Sequence, residues 1–274
     1  MISSSIVTFH TNHKDLFRLI DCVKNAPIDK LFIIDNSSND ELREYVTKDP
    51  KIHYIHSINL GYGSGHNVAI KKSIEEGAKY HIILNPDVYW YDPVVKTLID
   101  FMDKHQECGL VMPKVLYPNG ETQYLCKLIP SPFDLILRRF IPIKTWQEKH
   151  DSKYEMHWTN YDKIMEIPIL SGCFMMLRCE VINKVGGFDE RYFMYAEDVD
   201  LCRRIGEVSS TVFYPYVSIY HEYAKGSYGS KKMLKMHIKS ITKYFNKWGW
   251  IFDKKRSRRN KYCINKIKER DNIN

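Results

Sequence analysis

The first 105 residues alternate regularly between short apolar runs and amphipathic stretches, and this alternation restricts the possible folds more than any other feature. The apolar runs, which predict strands, stand at 4–9, 31–35, 52–55 and 80–84. Stretches with helical period lie between them, and the predicted helices are 12–24, a segment from 40 onward, 68–76 and 92–105. This alternation predicts an α/β fold with a Rossmann-like, mostly parallel sheet and helices on both faces.

Polar residues stand at or just after the ends of the predicted strands. Open α/β sheets bind their ligands beyond the carboxyl ends of the strands, so these residues are predicted to line one crevice. They are Thr8, Asp35, Asn36, Asn59, Gly61 and Asp87. The glycine-rich loop at 59–67 has neither the G-x-G-x-x-G spacing nor the Lys-Ser/Thr pair of a P-loop, so by itself it indicates only a tight connection.

Asp87 closely follows the predicted strand at 80–84, in a crevice that is predicted to contain Asp35 as well. Mg²⁺ and Mn²⁺ take oxygen ligands and commonly share them with substrate phosphates. The sequence therefore predicts a divalent cation, Mg²⁺ or Mn²⁺, at Asp87. The alternative is that Asn85, Pro86 and Asp87 form a simple turn at which the proline ends the strand.

The stretch 172–203 combines an apolar run, a Gly-Gly turn, an aromatic patch and an acidic cluster. The cluster consists of Glu197, Asp198 and Asp200, and it precedes Leu201 and Arg203 at helical spacing. A carboxylate behind an aromatic wall at the start of a helix suits a general base, because the helix dipole tolerates its charge and the wall can raise its pKa. The alternative is an ordinary helix start with acidic capping residues.

The composition is that of a globular protein with reduced thiols. None of the seven cysteines stands in C-x-x-C spacing, and the sequence has no zinc-type array of Cys and His, so buried thiols in a cytosolic compartment are expected. The sequence starts without the basic and apolar regions of a signal peptide. No apolar stretch approaches the roughly 20 residues that span a bilayer.

The basic charge is concentrated at the end of the chain. Residues 231–274 hold 15 Lys and Arg against 3 Asp and Glu, whereas residues 1–230 hold 26 against 30. An apolar face (Leu234, Ile238, Ile241 and Phe245) beside a lysine stripe predicts an amphipathic helix at an anionic membrane surface. A helix docked on the core with a solvated tail is the alternative, and the two are compatible. The predicted units are thus 1–105, 106–230 and 231–274.

Residues 106–165 are less regular than the rest. A hairpin turn is predicted at 118–120, a short amphipathic helix at 131–140, and a loop or lid at 145–163. Farther along, the alternating aromatic run at 212–223 predicts a pair of strands that ends at His221.

Five motifs in order resemble the family 2 inverting glycosyltransferases with the GT-A fold, and more narrowly the bacterial rhamnosyltransferases of O-antigen and related polysaccharide assembly. They are DNSSND (35–40), NLGYGSGHN (59–67), ILNPDV (83–88), SGCFMMLR (171–178) followed by GGFDERYFMYAEDVDLCRR (186–204), and a histidine after an aromatic strand. The likeness runs from about residue 4 to about residue 245.

The resemblance implies a role for each candidate residue. The residues near the nucleotide-sugar would be Thr8, Asp35, Asn36, Asn59, Gly61, Asn67 and Asn85. Asp87 takes the last place of the family's D-x-D metal motif, with Asn85 in the first place, and His221 completes the metal site. An ordinary half-buried histidine is the alternative for His221. Asp198 takes the place of the base, with support or acceptor binding from Glu197, Asp200 and Arg203, and Arg203 and Arg204 hold the carboxylates.

The implied activity is the transfer of L-rhamnose from dTDP-rhamnose to a lipid-diphosphate-linked glycan. The enzyme would lie at the cytoplasmic face of the bacterial membrane, bound to it through 231–270. The first alternative is a related transferase that uses UDP-galactofuranose, UDP-glucose or another donor. The second is a non-catalytic module tethered to membrane or nucleic acid. The interior acidic cluster and the lack of an interleaved aromatic-basic motif argue against this non-catalytic module.

Overall fold

The computed structural model describes residues 1–136, 144–222 and 231–272, and the strands in these ranges form one sheet of nine strands. The strands are β1 (Ile2–Thr8), β2 (Lys30–Asp35), β3 (Ile52–His56), β4 (Tyr80–Leu84), β5 (Val88–Tyr89), β6 (Cys108–Leu116), β7 (Met165–Glu166), β8 (Phe174–Arg178) and β9 (Ser210–His221). The helices are α1 (His13–Lys24), α2 (Leu42–Val46), α3 (Tyr62–Glu75), α4 (Val94–Lys104), α5 (Pro132–Leu135), α6 (Lys144–Tyr154), α7 (Cys179–Val185), α8 (Glu197–Ile205), α9 (Lys231–Trp248) and α10 (Lys254–Asp271).

The first four strands form the parallel half of the sheet, in the order β3-β2-β1-β4. Every residue of β4 is buried, as expected of a strand that is covered on both faces. The face of α1 that packs on the sheet is the predicted one, with Leu16, Leu19, Ile20 and Val23 buried. The predicted Rossmann-like half of the fold is therefore confirmed.

The other half of the sheet is mixed. Strand β8 runs antiparallel to β4, β6 runs antiparallel to β8, and β9 runs parallel to β6. Leu84, the last residue of β4, pairs with Phe174, the first residue of β8. Because of this register, the segments 85–87 and 171–173 leave the sheet at the same edge.

The glycine-rich segment is mostly helix rather than loop, because α3 begins at Tyr62, six residues earlier than predicted. Gly63 and Gly65 make this possible by close packing. A Cβ atom on Gly63 would lie 2.9 Å from Cβ of Phe188, and one on Gly65 would lie 2.7 Å from Cγ2 of Val7. The glycines therefore bring the helix onto β1 and onto the loop before α8.

Three other predictions need correction. The stretch 145–163 is not a loop, since it contains α6 and a 3₁₀ turn (His157–Thr159) and buries Tyr154 and Tyr161. The helix predicted at 131–140 is observed only as α5, and residues 137–140 lie outside the described ranges. The aromatic run at 212–223 forms the single strand β9 rather than two strands, and Tyr223 is outside the description.

The basic C-terminal region folds onto the rest of the protein. Ile241, Tyr244 and Phe245 of α9 are buried in a cluster with Tyr192 and Ala196. Ile238, which was predicted on the same face, is 55% exposed. Helix α10 is also docked, with Cys263 and Ile267 buried. The docked helix of the alternative interpretation is therefore observed, whereas its solvated tail is not observed up to residue 272.

All seven cysteines are free thiols, and six of them are buried, as expected for reduced thiols. Within the described ranges, none of the helices combines the length and the apolar character that crossing a bilayer requires.

Candidate active site

The register of the parallel strands brings the predicted nucleotide residues together. Thr8 pairs with Asp35, and Ile6 pairs with Leu84, so the end of β1 lies between the ends of β2 and β4. This is the point at which the strand order reverses direction, where open α/β sheets form their ligand crevice.

Asp35 is a buried carboxylate that is fixed by three donors. It accepts hydrogen bonds from Oγ1 of Thr8 (3.0 Å), the hydroxyl of Tyr54 (2.7 Å) and the backbone N–H of Ser37 (3.0 Å). Burial favours a higher pKa for Asp35, but hydrogen bonds from Ser37, Tyr54 and Thr8 outweigh burial and hold that pKa below its usual value. The site thus keeps an ionised acceptor at the end of β2.

A polar cleft opens beside this carboxylate. Asn36 borders the same strand end, since its backbone N–H donates to the carbonyl of Thr8 at 2.9 Å. The residues that line the cleft are Thr8, His10, Thr11, His13, Asp35, Ser37, Asn39, Glu41 and Leu42.

Asp87 and His221 meet at the end of β4. Nε2 of His221 lies 3.4 Å from Oδ1 of Asp87, and Nδ1 lies 3.0 Å from Oε1 of Gln123. The amide nitrogen of Gln123 donates to the carbonyls of His221 (2.7 Å) and Leu116 (3.3 Å), so Oε1 is the atom that accepts. In the neutral ring, Nδ1 therefore carries the hydrogen, and Nε2 presents its lone pair on the side of Asp87.

This pair fits a divalent cation that substrate completes. The described residues contain no group of three or more His, Cys, Asp and Glu that could hold a metal by themselves. Mg²⁺ is usually bound through one or two carboxylates together with water and substrate phosphates, and Mn²⁺ also accepts carboxylate ligands. Asp87 and His221 suit that arrangement because the side-chain amide of Gln123, on the far side of the ring, fixes the orientation of the histidine.

The acidic cluster stands at the start of α8 after two strained residues. Tyr195 (φ 71°) and Ala196 (φ 64°) are both in the left-handed region, which costs on the order of 1–3 kcal/mol for each such residue. Asp198 accepts hydrogen bonds from the backbone N–H groups of Gly172 (3.2 Å) and Val199 (2.8 Å). The strained turn therefore aims this carboxyl group at the segment 171–173.

Burial raises the pKa of both acidic residues at this helix start. Glu197 is 7% exposed, and its Oε2 has no hydrogen-bond partner among the described residues. Burial, together with the neighbouring charge of Asp198, raises the pKa of Glu197 to about 8. Burial also raises the pKa of Asp198, although hydrogen bonds from Gly172 and Val199 oppose it. A carboxyl group with a pKa nearer neutrality is a better proton acceptor at physiological pH.

Tyr62 links the acidic cluster to the predicted metal residues. Its hydroxyl lies 2.8 Å from the carbonyl of Gly172 and 3.1 Å from Oδ1 of Asn85. Nδ2 of Asn85 lies 3.4 Å from Nε2 of His221. A continuous chain of polar contacts thus leads from Asp198 through Tyr62 to His221, and burial raises the pKa of Tyr62, so that its hydroxyl stays protonated.

The burial of Glu197 predicts an unusual dependence of stability on pH. The folded protein holds the Glu197 proton more tightly than the unfolded chain, so this site reduces stability as pH rises from the ordinary carboxyl range towards 8. Glu197→Gln removes this titration. Calorimetry is expected to give the variant a melting temperature a few degrees above that of the wild type at about pH 9, and a smaller difference at about pH 5.

The exposed substitution Glu44→Gln is the matched control, and its melting temperature should follow that of the wild type at both pH values. Parallel curves for Glu197→Gln and the wild type would show that Glu197 ionises normally.

Of the two roles predicted for Asp200 and Arg203, support or acceptor binding, the contacts of both side chains agree with support. Asp200 is fully buried and is held by Arg204 (2.7 Å), Lys247 (2.6 Å) and the indole of Trp248 (2.7 Å), so it cannot contact an acceptor. Arg203 pairs with Asp253 rather than with the acidic cluster. Both side chains hold α8 against its neighbours. Of the two arginines that were predicted to hold the carboxylates, Arg204 binds one of the cluster and Arg203 does not.

Asn67, which is predicted to lie near the nucleotide or its phosphates, makes contacts within the fold. Its amide accepts from the N–H of Phe188 (2.8 Å) and donates to the carbonyl of the same residue (2.9 Å) and to Glu190 (3.0 Å). Gly61 precedes α3 at a position where only glycine fits, because a Cβ atom there would lie 2.2 Å from the carbonyl oxygen of Phe193. The backbone N–H of Gly61 donates a hydrogen bond to Oδ1 of Asn59 at 3.1 Å.

Three residues of the site were not identified from the sequence: Tyr54, Tyr62 and Gln123. Each acts through a contact that is distant along the chain, with Asp35, Gly172 and His221 respectively. The position of Tyr62 inside the glycine-rich motif was the one available signal.

Comparison with known proteins identifies the family. The sequence model of glycosyl transferase family 2 matches residues 4–186, which is more than half of the chain. The chain belongs to glycosyl transferase family 2. The GT-A fold of this family member is also found in the crystal structure of GalNAc-T7 with UDP, GalNAc and Mn²⁺, at a TM-score of 0.60, 15% identity and coverage of 88% of this chain and 48% of that chain.

Several curated relatives of this family 2 protein are named rhamnosyltransferases, including proteins of Mycobacterium tuberculosis and Shigella flexneri. N-acetylglucosaminyl-diphospho-decaprenol L-rhamnosyltransferase of Mycobacterium tuberculosis is 29% identical over 215 residues, which cover 71% of this chain and 66% of that protein. The dTDP-rhamnosyl transferase RfbF of Shigella flexneri is 23% identical over 206 residues, which cover 74% of this chain and 62% of that protein. The chain thus spans slightly less than two thirds of the length of both relatives.

Proposed function

We propose that this family 2 protein transfers L-rhamnose, with inversion, from dTDP-rhamnose to a hydroxyl of a lipid-diphosphate-linked glycan. The observation that carries the proposal is the chain of contacts from Asp198 through Tyr62 to His221 and Asp87 at the carboxyl ends of the strands. It connects a candidate base with candidate diphosphate-binding groups at one edge of the sheet. The names of the two relatives support the choice of sugar and nucleotide.

The unit 1–105 would bind the donor. The ionised carboxylate of Asp35 can accept hydrogen bonds from the ribose or the base. The polar cleft beside Thr8 and Asp35 would hold the nucleotide. The diphosphate would then extend past the end of β1 towards Asp87. Asp87 and His221 would hold Mg²⁺ or Mn²⁺, which when bound neutralises charge on the departing diphosphate.

The unit 106–230 would supply the acceptor side. Asp198 takes the proton of the acceptor hydroxyl. At the same time the oxygen of that hydroxyl attacks the anomeric carbon from the face opposite the diphosphate. The bond from the anomeric carbon to the phosphate oxygen breaks, and its electrons leave with dTDP. Glu197, whose burial favours the protonated form, keeps a second negative charge away from Asp198.

The acceptor and the location follow from charge and from one relative. Residues 231–274 are strongly basic, and the mycobacterial relative is named for an N-acetylglucosaminyl-diphospho-decaprenol. A polyprenyl diphosphate lies at the cytoplasmic face of a bacterial membrane, where a basic region favours binding. We infer that the enzyme works there in the assembly of a cell-surface polysaccharide.

A donor panel tests the proposal. Purified protein is incubated with Mn²⁺, a synthetic N-acetylglucosaminyl-diphospho-lipid and one of dTDP-rhamnose, UDP-galactofuranose or UDP-glucose, and products are read by mass spectrometry. We expect a product with dTDP-rhamnose alone. Transfer from a UDP-sugar would replace the proposed donor, and absence of transfer together with absence of nucleotide binding would reject the function.

Metal binding has a readout besides activity. We expect Mn²⁺ to raise the melting temperature of the protein more when dTDP is present than when it is absent. The reason is that Asp87 and His221 would fill only part of the coordination shell of the metal, and the diphosphate oxygens would fill more of it. Asp87→Asn should abolish this extra shift while dTDP alone still binds. An unchanged extra shift in the variant would place the metal elsewhere.

Tyr62→Phe tests the link between the two halves of the site. Loss of the hydroxyl releases Gly172 and Asn85, and we expect the rate of transfer to fall about tenfold to hundredfold with little change in the KM for the donor. The exposed Tyr216→Phe is the matched control and should retain full activity. A Tyr62→Phe enzyme of normal rate would show that the link has no role in catalysis.

A further inference from the structure

Three consecutive large apolar residues are exposed in the turn between α9 and α10. The exposed fractions are 39% for Trp250, 74% for Ile251 and 92% for Phe252, which is the most exposed large hydrophobic residue of the described chain. Single exposed apolar side chains are common, but a contiguous exposed group of this kind marks an interaction site. We call residues 249–252 the apolar turn.

The apolar turn is held in a fixed conformation. Gly249 adopts a φ of 99°, and its N–H donates to the carbonyl of Phe245 at 2.8 Å. The indole of Trp250 donates to Asn246 at 2.9 Å. On the other side, Asp253 is buried in an ion pair with Arg203 of α8. The exposure of Ile251 and Phe252 is therefore imposed by a well-anchored backbone.

Positive charge follows the apolar turn directly. Residues 254–270 contain nine Lys and Arg and one acidic residue. Exposed members of this group stand in the first turns of α10. They are Lys254, Lys255, Arg258 and Lys261. An aromatic and aliphatic tip beside cations is complementary to an anionic lipid surface, where apolar groups enter the acyl boundary and cations meet the headgroups.

The apolar face of α9 cannot supply this contact. Ile241, Tyr244 and Phe245 are buried against Tyr192 and Ala196, so the amphipathic pattern of this helix is used inside the protein. Ile238 and Tyr262 are also exposed, each at 55%, but they stand singly, whereas the apolar turn exposes three consecutive apolar residues.

We propose that the apolar turn inserts into anionic lipid bilayers and that the cations of α10 bind the headgroups beside it. The proposal rests on the proposed function in one respect, since a lipid-linked acceptor requires the enzyme to reach the membrane. It adds the segment that makes the contact.

The position of the turn relative to the candidate base supports this assignment. Arg203, which anchors Asp253, follows Asp198 by five residues on α8, and five helical residues rise about 7.5 Å. A membrane bound at the turn would therefore lie close to one end of the helix that carries the base.

Vesicle sedimentation tests the proposal with the full chain. Vesicles of phosphatidylcholine alone are compared with vesicles that contain about 30% phosphatidylglycerol, for the wild type, the double variant Ile251→Ser/Phe252→Ser and the control Tyr216→Ser. We expect the wild type to bind the anionic vesicles and the double variant to bind them at least about tenfold more weakly. Tyr216→Ser changes an exposed aromatic residue elsewhere and should bind like the wild type.

The charged part is tested separately. Lys254→Gln/Arg258→Gln should weaken binding to anionic vesicles about fivefold for each charge removed, and it should reduce the dependence of binding on salt. All variants should keep the wild-type thermal shift with dTDP, so failure of lipid binding is distinguishable from failure of the proposed donor site.

Two outcomes overturn the proposal. One is a double variant that binds anionic vesicles as tightly as the wild type. The other is a wild type that ignores lipid but self-associates in sedimentation velocity and becomes monomeric on Ile251→Ser/Phe252→Ser, which would make the apolar turn a contact between copies of the chain.

Discussion

Replacing Asp198 with asparagine is expected to lower the rate of transfer about 10²–10⁴-fold and to leave the protein folded. The carboxylate is the proposed proton acceptor, and an amide cannot take that role. The fold should tolerate the change because burial already disfavours the charged form of Asp198, and because an amide oxygen can still accept from the N–H of Gly172 or Val199.

The control for this experiment is Asp100→Asn, an exposed carboxylate on α4 that pairs with Lys96, and full activity is expected for it. Near-normal transfer by Asp198→Asn would remove Asp198 as the base. Glu197 would then be the remaining candidate, and Glu197→Gln would have to be inactive.

Asp253→Asn is expected to destabilise the protein by about 3–5 kcal/mol, because it leaves the buried Arg203 without its counter-ion. For a chain of this size the melting temperature should fall on the order of 10 °C. Asparagine can still accept the hydrogen bond from Arg256 N–H that starts α10, so the effect isolates the charge. Denaturant or thermal unfolding measures it.

The surface pair between Lys255 and Glu207 provides the comparison. Both side chains are well exposed, so Lys255→Gln should change stability by less than about 1 kcal/mol. The double variant Arg203→Met/Asp253→Asn should recover part of the stability, because it removes the unpaired charge. A fall for Asp253→Asn no larger than that for Lys255→Gln would refute the argument.

The parallel half of the fold could be predicted from the sequence because its signals are local. The apolar period of α1 identified its four buried residues, and the polar ends of β1 and β2 identified Thr8 and Asp35, which the structure joins at 3.0 Å. The edge of a parallel sheet collects residues from distant parts of the sequence by a general rule. Asp87 and His221, which are predicted to share one site, lie 3.4 Å apart.

The errors arose where tertiary contacts decide the role of a residue. Asp200 has the same local signal as Asp198, but only the structure shows that Lys247 and Trp248 from α9 cover it. The start of α3 was missed because glycines are poor helix formers in isolation, whereas here close packing on Val7 and Phe188 requires them. Gln123 does not belong to any recognisable motif. Its role is visible only in the structure, where it contacts Nδ1 of His221 and orients the ring.

The buried pair between Arg203 and Asp253 has a practical consequence for anyone who shortens the protein to improve its behaviour in solution. The basic region resembles a dispensable appendage, yet α8, which carries Asp198, is fastened at its far end to residues beyond 240. Truncation before α9 would remove Lys247 and Trp248 from Asp200, would leave Arg203 without Asp253, and would loosen the helix that aims the reactive carboxyl group. A trimmed protein without activity would then report a damaged scaffold, and it should not be read as proof that the missing segment touches substrate.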